Sequence, residues 1–312
     1  MITIIGSGRV GATTAAFLMF FEVDNEIVLI DIIKNLPQGE ALDLNHAAAI
    51  LGKSVRYRGG SNDYKDMEGS DIVIVTAGLA RKPGMTREEL AGKNAEIVAS
   101  IAEQIKKYAP NSIVIITTNP LDAMVYVLYK KLGFPRNRVI GFSGVLDSNR
   151  MAYYASLLIG IAPESIIPVV LGQHGENMYP VPEASFVYGK PLTEFITKEQ
   201  YDEIVKKTIQ AGADITNLRG GFSSNWGGPA AGLAMMVDSI KKDRKRIFEA
   251  SVYLDGEYGV RDVFAEVPVV LGKNGVEKII ELNLNDEQRK KFLASVEAIR
   301  KNLTQVPPQF LS

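Results

Sequence analysis

Short runs rich in Ile and Val occur at Ile2–Ile5, Ile27–Ile30, Ile72–Val75, Ile113–Thr117 and Val139–Gly141. None shows an alternating polar face, so each reads as a strand of a parallel sheet buried on both sides. Helical spacing of apolar positions fills the gaps at Val10–Phe20, Gln38–Leu51, Glu88–Tyr108 and Leu121–Leu132, with Pro110 and Gly133 stopping the last two. Strand and helix in regular alternation predict an α/β fold with a doubly wound sheet. After Gly144 the texture changes. Helices are expected at Asp147–Gly160, Lys198–Leu218, Pro229–Ile240 and Asp286–Asn302, and strands near Ile166–Leu171, Ser251–Leu254 and Val263–Val270, with an apolar segment at Ala184–Tyr188. This mixed pattern predicts a second, α+β unit, and places a domain boundary near residue 143, between 1–142 and 143–312.

Composition narrows the partners. The chain of 312 residues carries 35 Lys and Arg against 36 Asp and Glu, a formal net charge of -1. No overall field would hold it to nucleic acid or to an anionic membrane, and a small-molecule partner is expected. The apolar stretch from Val10 to Phe21 falls well short of the roughly 20 residues a spanning helix needs. The sequence starts directly on an apolar run with no basic leader, so a cytoplasmic location is expected. Having no cysteine, the chain cannot use a thiolate nucleophile, a disulfide or a Cys-bound zinc.

Gly6-Ser7-Gly8-Arg9-Val10-Gly11 follows the first strand and opens a helix. In that context Gly6 permits a tight turn, Gly8 lets backbone N–H groups reach a pyrophosphate, and Gly11 allows close helix–strand packing. Asp31 ends the second strand 20 residues beyond Gly11, where a carboxylate can accept from both ribose hydroxyls of an adenosine and repel a 2′-phosphate. The pair predicts a Rossmann domain that binds NAD. A glycine-rich turn without a ligand is the bland alternative, weakened by Asp31 standing where a dinucleotide site needs an acid.

Of the two histidines, His46 lies mid-helix by pattern, whereas His174 sits in Gly172-Gln173-His174-Gly175 just after an apolar strand. Proton exchange with an alcohol near neutral pH suits an imidazole exposed to a cleft, which favours His174. Such a ring needs a carboxylate to fix its tautomer, and Asp147 is the candidate. Asp147 and Arg150 are three apart at a predicted helix start, so they share a face; alone, they would be read as an ordinary surface ion pair. The segment from Gly78 to Arg87 follows the strand Ile72–Val75 and holds Arg81, Lys82 and Arg87 among two glycines and a proline. That makes it either a mobile lid whose arginine forks grip a carboxylate or an exposed basic loop. Thr117-Thr118-Asn119-Pro120 ends another strand at the same sheet edge, and Asn119 could face the reacting oxygen.

Together with Gly39-Glu40-Ala41-Leu42-Asp43-Leu44, these motifs, in this order along nearly the whole chain, resemble the lactate/malate dehydrogenase family. The resemblance implies His174 as acid/base, Asp147 as its partner, Arg150 as anchor of the substrate's C1 carboxylate and Arg87 as a lid arginine polarising the carbonyl. It further implies that Asn94, Thr117, Thr118 and Asn119 lie along the cofactor with Gly6 to Gly11, Asn119 also touching substrate, and that the chain is a homodimer or homotetramer needing no metal. Lactate-type members commonly place a neutral residue where this chain has Arg81, so the resemblance implies malate and oxaloacetate as substrates. Lactate or another 2-hydroxy acid is the nearer alternative; a non-catalytic NAD-binding protein is the alternative of another class. Two positions depart from the family pattern: Glu176, where many members have aspartate, and Asn225-Trp226-Gly227-Gly228-Pro229, which lacks the threonine of lactate enzymes.

Overall fold

The computed structural model describes residues 1–60, 63–80, 84–221 and 225–312. In its first half, β1 (Ile2–Ile5), α1 (Arg9–Phe21), β2 (Glu26–Ile30), α2 (Leu36–Ile50), β3 (Arg56–Gly59), β4 (Ile72–Val75), α3 (Arg87–Tyr108), β5 (Ile113–Ile116), α4 (Leu121–Leu132) and β6 (Val139–Gly141) alternate as the pattern predicts. Strand order is β3-β2-β1-β4-β5-β6, with every pair parallel. The sequence reading missed β3, because Arg56-Tyr57-Arg58-Gly59 lies at the sheet edge and lacks the apolar run of a strand buried on both faces.

The second half comprises α5 (Gly144–Ile159), β7 (Ile166–Ile167), β8 (Val170–Gly172), β9 (Met178–Pro180), β10 (Phe186–Val187), β11 (Lys190–Pro191), α6 (Lys198–Leu218), α7 (Gly227–Lys241), β12 (Arg246–Asp255), β13 (Arg261–Gly272), β14 (Gly275–Ile279) and α8 (Asp286–Leu303). The single strand expected over Ile166–Leu171 is two: β7 joins a small sheet with β10 and β11, while β8 pairs with β13. Strands β12 and β13 run beyond the expected ranges, because they pair with each other through their ends, where apolar Phe248 and Leu271 alternate with polar residues such as Glu249 and Arg261. The main sheet does not stop at the end of the parallel strands. β12 lies antiparallel on β6 through Ser251 opposite Gly141, and the order continues β12-β13-β8-β9, with β14 on β13.

One hydrophobic core therefore runs across both halves, joining Ile2, Ile4, Ala15 and Leu18 to Leu233, Val237, Val252 and Phe248. A second lies on the opposite face around Val73, Val114, Ala95 and Val125, and a third sits around Met151, Ala155, Ile166 and Ile204. Helices α3, α6 and α8 start in capping boxes, Thr86 with Glu89, Thr197 with Gln200 and Asn285 with Gln288, which satisfy their first N–H groups internally. Among the described residues no helix is long and apolar enough to cross a membrane.

Candidate active site

Helix α1 follows an N-cap glycine, Gly8, that offers no side-chain cap, so its first N–H groups and its dipole point out of the glycine loop. Sterics explain each glycine. Gly6 has φ +103°, and a Cβ there would stand 2.6 Å from the Ala77 nitrogen; one on Gly11 would stand 1.9 Å from the Gly6 carbonyl oxygen. A Cβ on Gly8 would meet nothing within 4 Å. That glycine faces open space, as a backbone that must be approached by a phosphate requires. Thr76, which the sequence reading passed over, donates its hydroxyl to the Gly6 carbonyl at 2.8 Å and holds the loop against β4.

Asp31 follows β2 and receives the Ser7 N–H at 2.7 Å and the Ile33 N–H at 2.9 Å, one on each oxygen. Each oxygen keeps a lone pair for a ribose hydroxyl. Buried Ser7 donates its own hydroxyl to the Ile30 carbonyl. Arg9 extends away from the loop, its guanidinium 4.7 Å over the Trp226 ring, whose centroid Arg219 approaches at 3.6 Å. The residues therefore fit a dinucleotide.

The β4 and β5 loops are tied together by the side chains of Asn94 and Thr118. Asn94, fully buried on α3, accepts the Leu79 N–H at 2.8 Å and donates to the Leu79 carbonyl at 3.2 Å and the Asn119 carbonyl at 2.7 Å. Asn94 thus positions the cofactor-side loops through their backbones. Thr118 donates to the Ala77 carbonyl at 2.6 Å, and its methyl packs where a Cβ on Gly78 would be, 2.5 Å away. Thr117 and Asn119 line a cavity of about 480 Å³ with Val10, Arg150, His174 and Asn225. The Asn119–Pro120 peptide is cis.

His174 follows β8, in the loop that β9 closes. Its Nδ1 lies 2.6 Å from Asp147 Oδ2, and Arg150 donates to Asp147 Oδ1 at 3.1 Å. Asp147 is wholly buried, whereas the imidazole keeps 19% of its surface exposed. A ring held this way presents its other nitrogen to the cavity. Burial alone would disfavour the charged ring, but the charge and hydrogen bond of Asp147, helped by Asp122, hold the imidazole above its ordinary value, with Arg150 acting the other way. The expected helix-face pairing of Asp147 and Arg150 is present, and the carboxylate serves both partners at once. His46 sits exposed on α2.

Several residues of this centre escaped the sequence reading. Asp122, at the start of α4, accepts the His174 N–H at 2.9 Å and the Ser251 hydroxyl at 2.7 Å, and burial pushes its carboxyl up to about 6 despite both bonds. Burial pushes the Glu249 carboxyl on β12 up to about 7. Glu266 on β13 is fully buried. Its place in the otherwise apolar run Val263–Val269 was the signal available in the sequence. Asn225, beside Arg150 in the cavity, has a buried side-chain oxygen with no partner among the described residues.

Arg87 opens α3 and is 63% exposed, its guanidinium 3.0 Å from Glu176. Both border a second cavity of about 370 Å³ that also touches Asn119 and His174. Arg81 and Lys82, the other cations expected in this loop, lie outside the described residues.

Residues 1–141 match the NAD binding domain of lactate/malate dehydrogenase, and residues 144–308 match its alpha/beta C-terminal domain. The chain is 89% identical to a malate dehydrogenase of Caldivirga maquilingensis over 311 residues, covering 100% of both. The structure of the malate dehydrogenase from Aeropyrum pernix superposes with a TM-score of 0.96 at 54% identity, covering 100% of each chain. A Cryptosporidium parvum lactate dehydrogenase complexed with lactic acid and nicotinamide adenine dinucleotide superposes at 0.92 with 37% identity, over 97% of this chain and 96% of that one. The chain belongs to the lactate/malate dehydrogenase family.

Proposed function

We propose that this protein is an NAD-dependent malate dehydrogenase, interconverting (S)-malate and oxaloacetate. The observation that carries the reading is one cavity into which His174, braced by Asp147, and the Arg150 guanidinium both open, beside a glycine loop shaped for a dinucleotide. NAD supplies the hydride acceptor. All other work falls to the chain. Arg150 binds the C1 carboxylate, and His174 takes the hydroxyl proton at the nitrogen not engaged by Asp147, returning it in the reverse direction. Asn119 lies between the two sites, and Arg87 adds a second cation once released from Glu176. The cofactor-binding part is residues 1–142, and the substrate-binding part 143–312, the division supported by where the two matched domains meet.

The overall shape does not choose between malate and lactate, because structures of both kinds superpose closely. Arg81 favours malate: closing a site over pyruvate would leave that charge unpaired, at roughly 3–5 kcal/mol if fully buried, whereas oxaloacetate brings a second carboxylate to it. The full-length identity to a malate dehydrogenase supports the same choice. A homodimer or homotetramer is part of the reading, supported by exposed Tyr153, Leu157 and Leu158 on α5 beside exposed Ile167 on β7. The deciding experiment is NADH oxidation with oxaloacetate and with pyruvate, each taken to saturation. Oxaloacetate is expected to lead in kcat/KM by about a hundredfold or more, and a preference for pyruvate overturns the reading.

A further inference from the structure

Beneath the acid/base pair lies a group that the reaction scheme leaves unused. Glu266 is wholly buried, and neither carboxyl oxygen has a hydrogen-bond partner among the described residues. One of its oxygens, one of Asp147 and one ring nitrogen of His174 all lie within 4.8 Å of one another. The backbone makes room for it: a Cβ on Gly144, the first residue of α5, would stand 2.4 Å from Glu266 Oε1 and 2.3 Å from the Glu249 Cβ. The groups facing this point come from every neighbouring element: Asp122 on α4, Asp147 and Arg150 on α5, His174 after β8, Glu249 on β12 and Glu266 itself on β13. Four of these six are carboxyls, Glu266 included, and the guanidinium of Arg150 is bonded to Asp147.

We propose that Glu266 is a positioning residue for the acid/base pair: it is held as the neutral acid and offers its O–H to the Asp147 carboxylate, limiting how tightly that carboxylate keeps a proton on His174. An ionised carboxyl without partners, walled off from water and beside Asp147, would meet both a desolvation penalty and like-charge repulsion. Burial, then the charges of Asp147, Glu249 and Asp122, push Glu266 well above the usual carboxylate range. The neutral acid has one hydrogen to give. Asp147, already accepting from Arg150 and His174, has lone pairs left to receive it, after a side-chain rotation or through one bridging water. A donor to Asp147 spreads its charge, so the imidazolium is stabilised less and His174 remains a usable base.

The inference rests on the dehydrogenase reading only for its kinetic consequence. The test compares wild type, Glu266→Gln and Glu266→Leu in malate oxidation across pH, with NADH binding as a check on folding. Oxidation needs the neutral imidazole, so activity rises with pH through the His174 pKa. Leucine removes the donor and is expected to move that limb up by about 0.5–1 pH unit, a loss of about three- to tenfold on the acid side. Glutamine keeps an N–H donor and is expected to follow wild type. A leucine profile superimposed on wild type overturns the proposal, as does a downward shift in both variants, which would mean that Glu266 is normally charged. Infrared difference spectra of wild type against Glu266→Gln, read without turnover, are expected to lose a protonated-carboxyl band; loss of a carboxylate band overturns it. Wild type inactive on malate would instead sink the functional reading and leave the infrared result to decide Glu266.

Discussion

The two ends of the active cavity are built from different materials. On the β1 side the proposed cofactor surface is mostly backbone: Gly6, Gly8 and Gly11 set the path, α1 leaves its first N–H groups uncapped, Thr76 braces the loop, and Asp31 holds it through the Ser7 N–H. On the β8–β13 side it is side chain, with one imidazole and one guanidinium held by a buried carboxylate and ringed by further acids. A backbone surface serves a ligand whose charge is fixed, because N–H dipoles cannot change protonation. A proton-transfer surface must do the opposite, and needs groups whose charge depends on their neighbours. Steric tolerance is therefore the weak point of the first region and electrostatic balance that of the second.

The largest expected effect breaks the second region alone. His174→Ala should lower kcat by about 10³- to 10⁴-fold, while a fluorescence titration with NADH gives nearly the wild-type Kd; a large loss of NADH affinity would show that the regions are not separable. Next come the glycines, which should part company. Gly11→Ala drives a Cβ into the Gly6 carbonyl and should cost about 2–4 kcal/mol of stability in a denaturant melt, as overpacking does. Gly8→Ala meets no atom of the chain and should leave the melt within about 1 kcal/mol of wild type, yet weaken NADH binding about tenfold or more. Equal destabilisation by both would remove the steric account of the loop.

The smallest effect concerns charges that tie the regions together without serving catalysis. The Met1 amino group and Lys241 at the end of α7 both sit on Asp24, at 2.9 and 2.7 Å. Burial alone would raise Asp24, but these two cations hold its carboxyl down at about 2. A depressed carboxylate contributes stability that is complete above its unfolded value near 3.8 and fades as pH falls toward about 2. Asp24→Asn should therefore cost about 1–2 kcal/mol at pH 6 after allowance for solvent screening, and only a small fraction of that at pH 2, where the folded carboxylate is half protonated. A cost independent of pH would point to packing instead.

Legibility in the sequence followed the same division. The glycine loop and Asp31 could be read because steric demands act on neighbours along the chain, and the five parallel strands because burial on both faces leaves unbroken Ile and Val. His174 stood out between glycines, and Asp147 with Arg150 through helical spacing. Asp122, Glu249 and Glu266 did not, since their meaning arises only when α4, β12 and β13 meet beside β8; singly, each is one acid at a helix start or in a strand. Asn94 had a role through family resemblance, and its geometry refines that role: it fastens two loops by their backbones. β3 and β14 were invisible because edge strands need little apolar content.

The seam between β6 and β12 carries a practical consequence. Because Gly141 and Ser251 join the parallel and antiparallel strands into one sheet, a gene cut at residue 142 to yield a free-standing cofactor module would bare the β6 edge, with Val139 and Ile140 buried in the whole protein. Such an open, apolar edge invites pairing between copies, so the severed fragment should collect in inclusion bodies, and fusion partners or biosensor inserts belong at the termini instead.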